Sequence, residues 1–168
     1  MNCTIINKNR NDSKGEFIMK TFIFFKKMNQ NAIVPKYGTD DAACADLYAC
    51  FDNKEDKVAI MPGETKLIKT GIAMEIPTTL AGCIFARSGL ATKQGLAPAN
   101  KVGIIDPDYR GEIMVALHNH SKETRYVAYG DRIAQIGFIP YVTASFLETD
   151  NLSESDRGSG GFGSTGTN

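Results

Sequence analysis

Short apolar or alternating runs, each closed by a turn, recur along this chain at residues 21–25, 57–61, 66–70, 80–86, 113–118, 125–129 and 143–147. A side-chain period of two over such short stretches reads as strands. The turn signals between them include Pro62-Gly63, Pro107-Asp108 and Gly130-Asp131, and no long amphipathic helical pattern intervenes. The expected class is therefore all-β, a jelly-roll-like β-barrel rather than a parallel βαβ sheet. One short helix is expected over residues 89–94, with Ser88 as its N-cap and Gly95 as its C-terminal stop. Its unpaired N-terminal amides would suit a phosphate, although a plain connector is the commoner use of such a helix.

With 168 residues, 42% of them hydrophobic, the chain is long enough for one core and too short for two ordinary domains. Lysine plus arginine and aspartate plus glutamate balance at 19 each, which removes the basic excess of a general nucleic-acid binder. The longest apolar runs fall far short of the roughly 20 residues that span a bilayer, so no membrane segment is expected. Cys3, Cys44, Cys50 and Cys83 form neither a CxxC pair nor a dense secreted-type framework and read as reduced thiols of a cytoplasmic protein. Residues 1–18 are charged and lack the apolar stretch of a signal peptide; they read as a disordered extension. Translation starting at Met19 is the alternative, and intact mass separates the two. The folded domain is expected over residues 19–152. The polar, Gly-rich residues 153–168 cannot bury enough surface to fold alone and read as a flexible arm.

Four segments carry side chains suited to chemistry. In "NKVGIIDPDYRGEI", residues 100–113, Asp106 and Asp108 flank Pro107; both are turn formers on turn chemistry alone, or Asp106 is a general base at a pocket mouth walled by Tyr109. In "FARSGLA", residues 85–91, Arg87 and Ser88 precede the helix, either as an ordinary cap with a solvated arginine or converging on phosphate oxygens. "GDRIAQI", residues 130–136, reads as a turn into a strand on which Ile133 and Gln135 alternate. "ACADLYA", residues 43–49, reads as a strand whose carboxylate, Asp46, caps a turn or holds a hydrated magnesium ion. In the tail, Arg157 and Phe162 stand among glycines that permit close backbone approach.

Taken together, in this order and at this spacing, these segments resemble the five motifs of the trimeric dUTPase family from about residue 22 to 166. "GIIDPDYRGE", "ARSGLA" and "RGSGGFGSTG" are the most specific. The resemblance implies hydrolysis of dUTP to dUMP and pyrophosphate, with Mg2+ as cofactor, limiting uracil in DNA and supplying dUMP for thymidylate synthesis. It makes Asp106 the residue that orients and deprotonates water. Tyr109 would pack on deoxyribose and exclude a 2′-hydroxyl, while Asn100 and the hairpin backbone through Gly103 and Ile105 would read the uracil edge. Arg87, Ser88, Gly89 and Gln135 match triphosphate contacts, and Asp46 matches the carboxylate supporting the metal, through water. In the arm, Phe162 would stack on uracil while Arg157, Gly163 and Ser164 approach the nucleotide. A homotrimer with shared active sites is implied.

The chain departs from the family pattern at Cys44, where glycine is usual, and at Ala86, where proline usually precedes Arg87. The "HNH" run at 118–120 reads as strand end and loop and is assigned no metal. A dCTP deaminase would share the fold but calls for a glutamate base and an "RSS" stretch, whereas Gly89 follows Ser88 here. A nucleotide-sensing module would keep the pocket and arm without turnover.

Overall fold

The computed structural model describes residues 21–161. Twelve strands and one helix follow in chain order: β1 Phe24–Lys27, β2 Lys36–Tyr37, β3 Ala45–Tyr48, β4 Lys57–Ile60, β5 Thr65–Lys69, β6 Ile72–Glu75, β7 Leu80–Phe85, α1 Ser88–Gln94, β8 Leu96–Pro98, β9 Gly103–Ile105, β10 Met114–Asn119, β11 Arg125–Ala128 and β12 Arg132–Pro140. The class is all-β, as the patterning requires. All pairings are antiparallel. A five-stranded sheet runs β2-β3-β12-β7-β9, a three-stranded sheet runs β5-β10-β8, and β11-β4 and β1-β6 form two-stranded ladders.

The core follows from alternation. In β10, Val115, Leu117 and Asn119 are buried while the residues between them are more exposed, as the pleat dictates. They join Leu47 of β3, Ile68 of β5, Ile84 of β7, Leu96 of β8 and Ile136 of β12 in one apolar cluster, Asn119 excepted. That asparagine is fully buried and satisfied, donating to the carbonyls of Ile60 and Glu123 at 2.8 Å each and accepting from Ser121. It ties β10 to β4 and to the turn before β11, at the cost of a polar group that must keep every partner.

The β5-β6 turn packs closely on its neighbours. Gly71 has φ +69°, and a Cβ there would fall 2.7 Å from Ala32 Cβ and 2.8 Å from Cys50 Sγ. Its amide donates to Glu112 Oε1 at 2.8 Å, which pins the turn to the segment entering β10.

Three sequence expectations change. The strand expected at residues 21–25 begins later, at Phe24. Residues 143–147 form no strand: they pair with none of the sheets, Val142, Phe146 and Leu147 are 92%, 96% and 88% exposed, and a lone extended segment leaves its backbone groups to water. Ser88 is not the N-cap; Arg87 occupies that position with extended backbone, and no side chain caps the helix. Gly95 does end it, at φ 70°. Among the described residues no helix is long and apolar enough to cross a membrane, and Cys44, Cys50 and Cys83 are free thiols.

Candidate active site

One end of the five-stranded sheet gathers Asp46, Arg87, Ser88, Gly89 and Gln135. Asp46 and Gln135 are cross-strand partners between β3 and β12, and Gln135 also faces Phe85 of β7. A register shift in β12 between Arg132 and Ala134 bends the strand where it enters this end, the usual effect of a bulge. The Asp46 carboxylate is held from both sides, by Arg87 Nε at 2.8 Å and by Arg132 Nη1 at 3.1 Å. Arg87 also donates to the Arg132 carbonyl at 3.3 Å, and Gln135 Nε2 donates to the Ala86 carbonyl at 3.1 Å. Two guanidiniums meet one carboxylate here, and Asp131 lines the same groove as both arginines. Asp46 thus fixes the arginine that precedes the helix, while Arg132 stays about half exposed, 53%. A Cβ on Gly89 would meet nothing within 4 Å, so the first turn of α1 faces open space.

The hairpin after β9 gathers the second set. Gly103 packs so closely that a Cβ there would sit 3.0 Å from Asn100 Nδ2 and 3.4 Å from Ile84 Cβ; glycine lets the Asn100 amide lie against the strand. Asp106 follows Ile105 directly and is exposed, and the Tyr109 amide donates to its carbonyl at 3.1 Å. The Tyr109 hydroxyl donates to the Glu112 carbonyl at 3.0 Å. The ring lies so flat over the turn that any side chain on Gly111 would run into it. A groove of about 220 Å³ between Leu67, Ile104, Ile105, Tyr109 and Met114 is mostly apolar, with the Asp106 and Glu112 carboxylates at its border, as suits the body of a nucleoside. A larger one, about 760 Å³, lies on the other flank of Asp106 against Phe22, Phe24 and Arg110 but includes neither Tyr109 nor Asn100.

These two sets do not meet within one chain. Ile105 pairs with Gly82, so Asp106 lies beside Ala81, six residues before Arg87 along an extended segment. At about 3.3 Å per residue that is roughly 20 Å. None of the three grooves that Asp106 lines includes Asp46, Arg87, Ser88 or Gln135. In the arm, Arg157 Nε donates to the Gly160 carbonyl at 2.8 Å within a turn at residues 156–159; Phe162, Gly163 and Ser164 lie outside the described residues.

The dUTPase family model matches residues 30–166, which takes in both ends of the sheet and the arm. This chain belongs to the dUTPase family. Within that family it is 47% identical over 149 residues to the deoxyuridine 5'-triphosphate nucleotidohydrolase of Desulfitobacterium hafniense, covering 88% of this chain and 97% of the relative. The enzyme of the same name from Nautilia profundicola is 49% identical over 141 residues, covering 84% and 96%. Among solved structures, the dUTPase of Staphylococcus bacteriophage 80alpha with dUPNHPP superposes with a TM-score of 0.75 at 26% identity, covering 88% of this chain and all of that one.

Sequence reasoning passed over three residues that family membership now sets beside the motifs. Arg132 lay inside "GDRIAQI", read only for its alternation, and nothing in that run announces a second guanidinium on Asp46. Gly111 and Glu112 close the hairpin; a glycine two residues after an aromatic was the available sign of a ring folded over its own turn.

Proposed function

We infer that this chain hydrolyses dUTP to dUMP and pyrophosphate, the reading carried by the dUTPase family match across both ends of the sheet. Water attacks the α-phosphorus, the bond to the bridging oxygen breaks and pyrophosphate leaves, while Asp106 orients the water and takes its proton. Tyr109 walls the deoxyribose, and Asn100, Gly103 and Ile105 read the uracil edge. Arg87, Ser88, Gly89 and Gln135 hold the triphosphate, where fixed donors in a partly dry setting stabilise the charge that builds on the phosphate oxygens.

Because Asp106 and Arg87 stand about 20 Å apart in one chain, the complete site is built between copies, as a homotrimer with shared sites. The exposed Val142, Phe146, Leu147 and Leu152 support the same conclusion. Each such side chain contributes about 1.5–3 kcal/mol when covered, and the strand pattern of residues 143–147 fits pairing with an edge on another subunit. Residues 153–168 then form the arm that closes over bound nucleotide, with Arg157 and Ser164 at the phosphates, Gly163 allowing close approach and Phe162 on the uracil ring.

Mg2+ fits as an ion carried in by the triphosphate. Among the described residues no group of three or more His, Cys, Asp or Glu is placed to hold a metal, but Mg2+ is commonly held by one or two carboxylates, waters and substrate phosphates. Each Asp46 oxygen accepts one guanidinium bond and keeps a lone pair for a metal-bound water. The bound ion would neutralise phosphate charge. A cytoplasmic setting fits the reduced thiols.

The deciding experiment incubates the full chain with dUTP, dCTP, dTTP and UTP separately, with and without Mg2+. Pyrophosphate and dUMP are expected from dUTP alone, and Asp106→Asn should lower kcat about 10²–10⁴-fold, the usual weight of a positioned base. Ammonia from dCTP would move the chain to the deaminases; nucleotide binding without turnover would make it a sensor.

A further inference from the structure

Both histidines of the chain stand two positions apart, His118 at the end of β10 and His120 one residue beyond it. Residues two apart along a strand point to the same face, and here the imidazole ring centres lie 4.3 Å apart with their planes at 63°. The backbone beneath them is locked. Asn119, between them, is fully buried; its amide donates to the Glu64 carbonyl at 3.0 Å and its carbonyl accepts from Gly63 at 2.8 Å. The His120 amide donates to the Gly95 carbonyl at 2.8 Å. Thr65 of β5, the cross-strand partner of His118, sets its hydroxyl 2.8 Å from His118 Nδ1. In the tautomer that donates from Nδ1, this contact fixes the ring and leaves the Nε2 lone pair free, the arrangement that supports a metal-bound histidine. The His120 ring is exposed and turns about χ2 without moving core atoms. The proposed dUTP reaction uses neither ring.

The ring separation discriminates between ion classes. With metal–nitrogen bonds of about 2.0 Å, the centre of each bound imidazole stands roughly 3.2 Å from the ion. Two rings at a right angle, as in the tetragonal sites of copper(II) and nickel(II), then have centres about 4.5 Å apart; at the tetrahedral angle of zinc they stand about 5.2 Å apart. The observed 4.3 Å matches the right angle. Among the described residues no third His, Cys, Asp or Glu joins the pair, so water fills the remaining positions, and imidazole nitrogen does not suit magnesium or calcium, which take oxygen. Burial, then His118, then Lys101 push the His120 imidazole below its ordinary pKa. A neutral ring is the form that ligates, while the Lys101 charge opposes the incoming cation.

We propose that His118 and His120 form a two-imidazole site for a tetragonal divalent ion of the nickel(II) and copper(II) class, on the outer face of the β5-β10-β8 sheet. Two ring nitrogens replace two waters of the hydrated ion, and no oxidation state changes. From the sequence alone the HNH run takes no metal; the contact between the rings and the locked backbone under them are what the structure adds.

The test titrates the untagged full chain, reduced with a phosphine, with Ni2+ at neutral pH in excess Mg2+, read by calorimetry. One Ni2+ per chain is expected. His118→Asn and His120→Asn should each weaken binding about 10²-fold or more, the loss of a second tethered ligand. Thr65→Val should weaken it about 10-fold, the weight of a partner behind the ligand. Cys3→Ala and Cys44→Ala should leave it unchanged. With two histidines in the chain, the two variants assign the ring signals in nitrogen-15 NMR, and both rings of the parent should broaden together on adding Ni2+. Circular dichroism confirms that each variant is folded. Broadening of neither ring, undiminished binding by either histidine variant, or loss of binding on removing Cys3 would each overturn the assignment and reduce the pair to an aromatic contact. Nickel uptake is read without nucleotide, so its failure leaves the dUTP reading standing, and failure of dUTP turnover leaves this site standing.

Discussion

Two inactive variants of this chain should restore activity to each other. Arg87→Ala removes the guanidinium that precedes α1, and Asp106→Ala removes the proposed base roughly 20 Å away along the same chain. A base works only within hydrogen-bond reach of the proton it takes, or through one water, so on the proposed roles neither residue serves a site with its own chain's partner group. In a mixed trimer, a site is whole when its hairpin comes from an Arg87→Ala chain and its phosphate-binding end from an Asp106→Ala chain. With equal amounts and random assembly each condition holds half the time, so about a quarter of sites are intact. Each variant alone should retain at most about one part in 10² of parent activity. The assay mixes the variants one to one, dissociates and reassembles them, and measures pyrophosphate release per chain. Activity rising to about a quarter of the parent's supports the shared site; activity staying at the level of the separate variants, in mixtures that sedimentation shows to be trimeric, refutes it.

Truncation after Glu154 should cripple turnover while the thermal midpoint moves little, because residues 154–160 are exposed or nearly so and form none of the core; full activity in the truncated chain would remove the arm from the mechanism. Gly71→Ala should destabilise the fold by about 2 kcal/mol or more in urea titration, combining a positive φ with a Cβ driven against Ala32 and Cys50, and an unchanged midpoint would count against the described turn. The Met61 amide donates to Glu64 at 2.8 Å, and this bond, with a contribution from Lys66, holds the Glu64 carboxyl below the ordinary glutamate pKa. Its contribution to stability is full above the unfolded-state pKa and is lost as pH falls through the lower folded value. Carbon-detected NMR titration should place the Glu64 midpoint below that of exposed glutamates, and Glu64→Gln should erase the difference in acid sensitivity.

What the sequence made legible was local. Turn residues and alternation located most strands, including β7 and β10, because burying one face of a pleat leaves a period of two in the residues. Gly95 announced the end of α1 for a similar reason, since a left-handed residue favours glycine. The same logic misread residues 143–147: their pattern is that of a strand, but a period of two does not say whether an edge lies within reach, and here they pair with none. Ser88 was misplaced by one residue because Arg87, an unusual N-cap, adopts the extended conformation usually held by a serine or aspartate. Of the candidate site, residue types were readable and distances were not. No spacing in the sequence reveals that Asp46 is clasped by both Arg87 and Arg132, since that contact joins positions 46, 87 and 132 through three neighbouring strands.

The antiparallel pairing of β3 with β12, Ala45 against Ile136, sets Cys44 opposite Gly137 and ties the history of one position to that of the other. With Cys44 in place, any side chain at 137 begins at a Cβ 3.0 Å from the sulfur, so enlargement there is penalised; with a smaller residue at 44 that Cβ keeps only ordinary contacts, Phe85 Cε2 at 3.5 Å and the Ala43 carbonyl at 3.7 Å. Loss of bulk at 137 is therefore the permissive step and must precede arrival of the cysteine, or both must change at once. A lineage that has taken that path can no longer reverse the earlier-placed glycine alone, and substitution scans of position 137 performed in a background without Cys44 will report tolerances that this chain does not have.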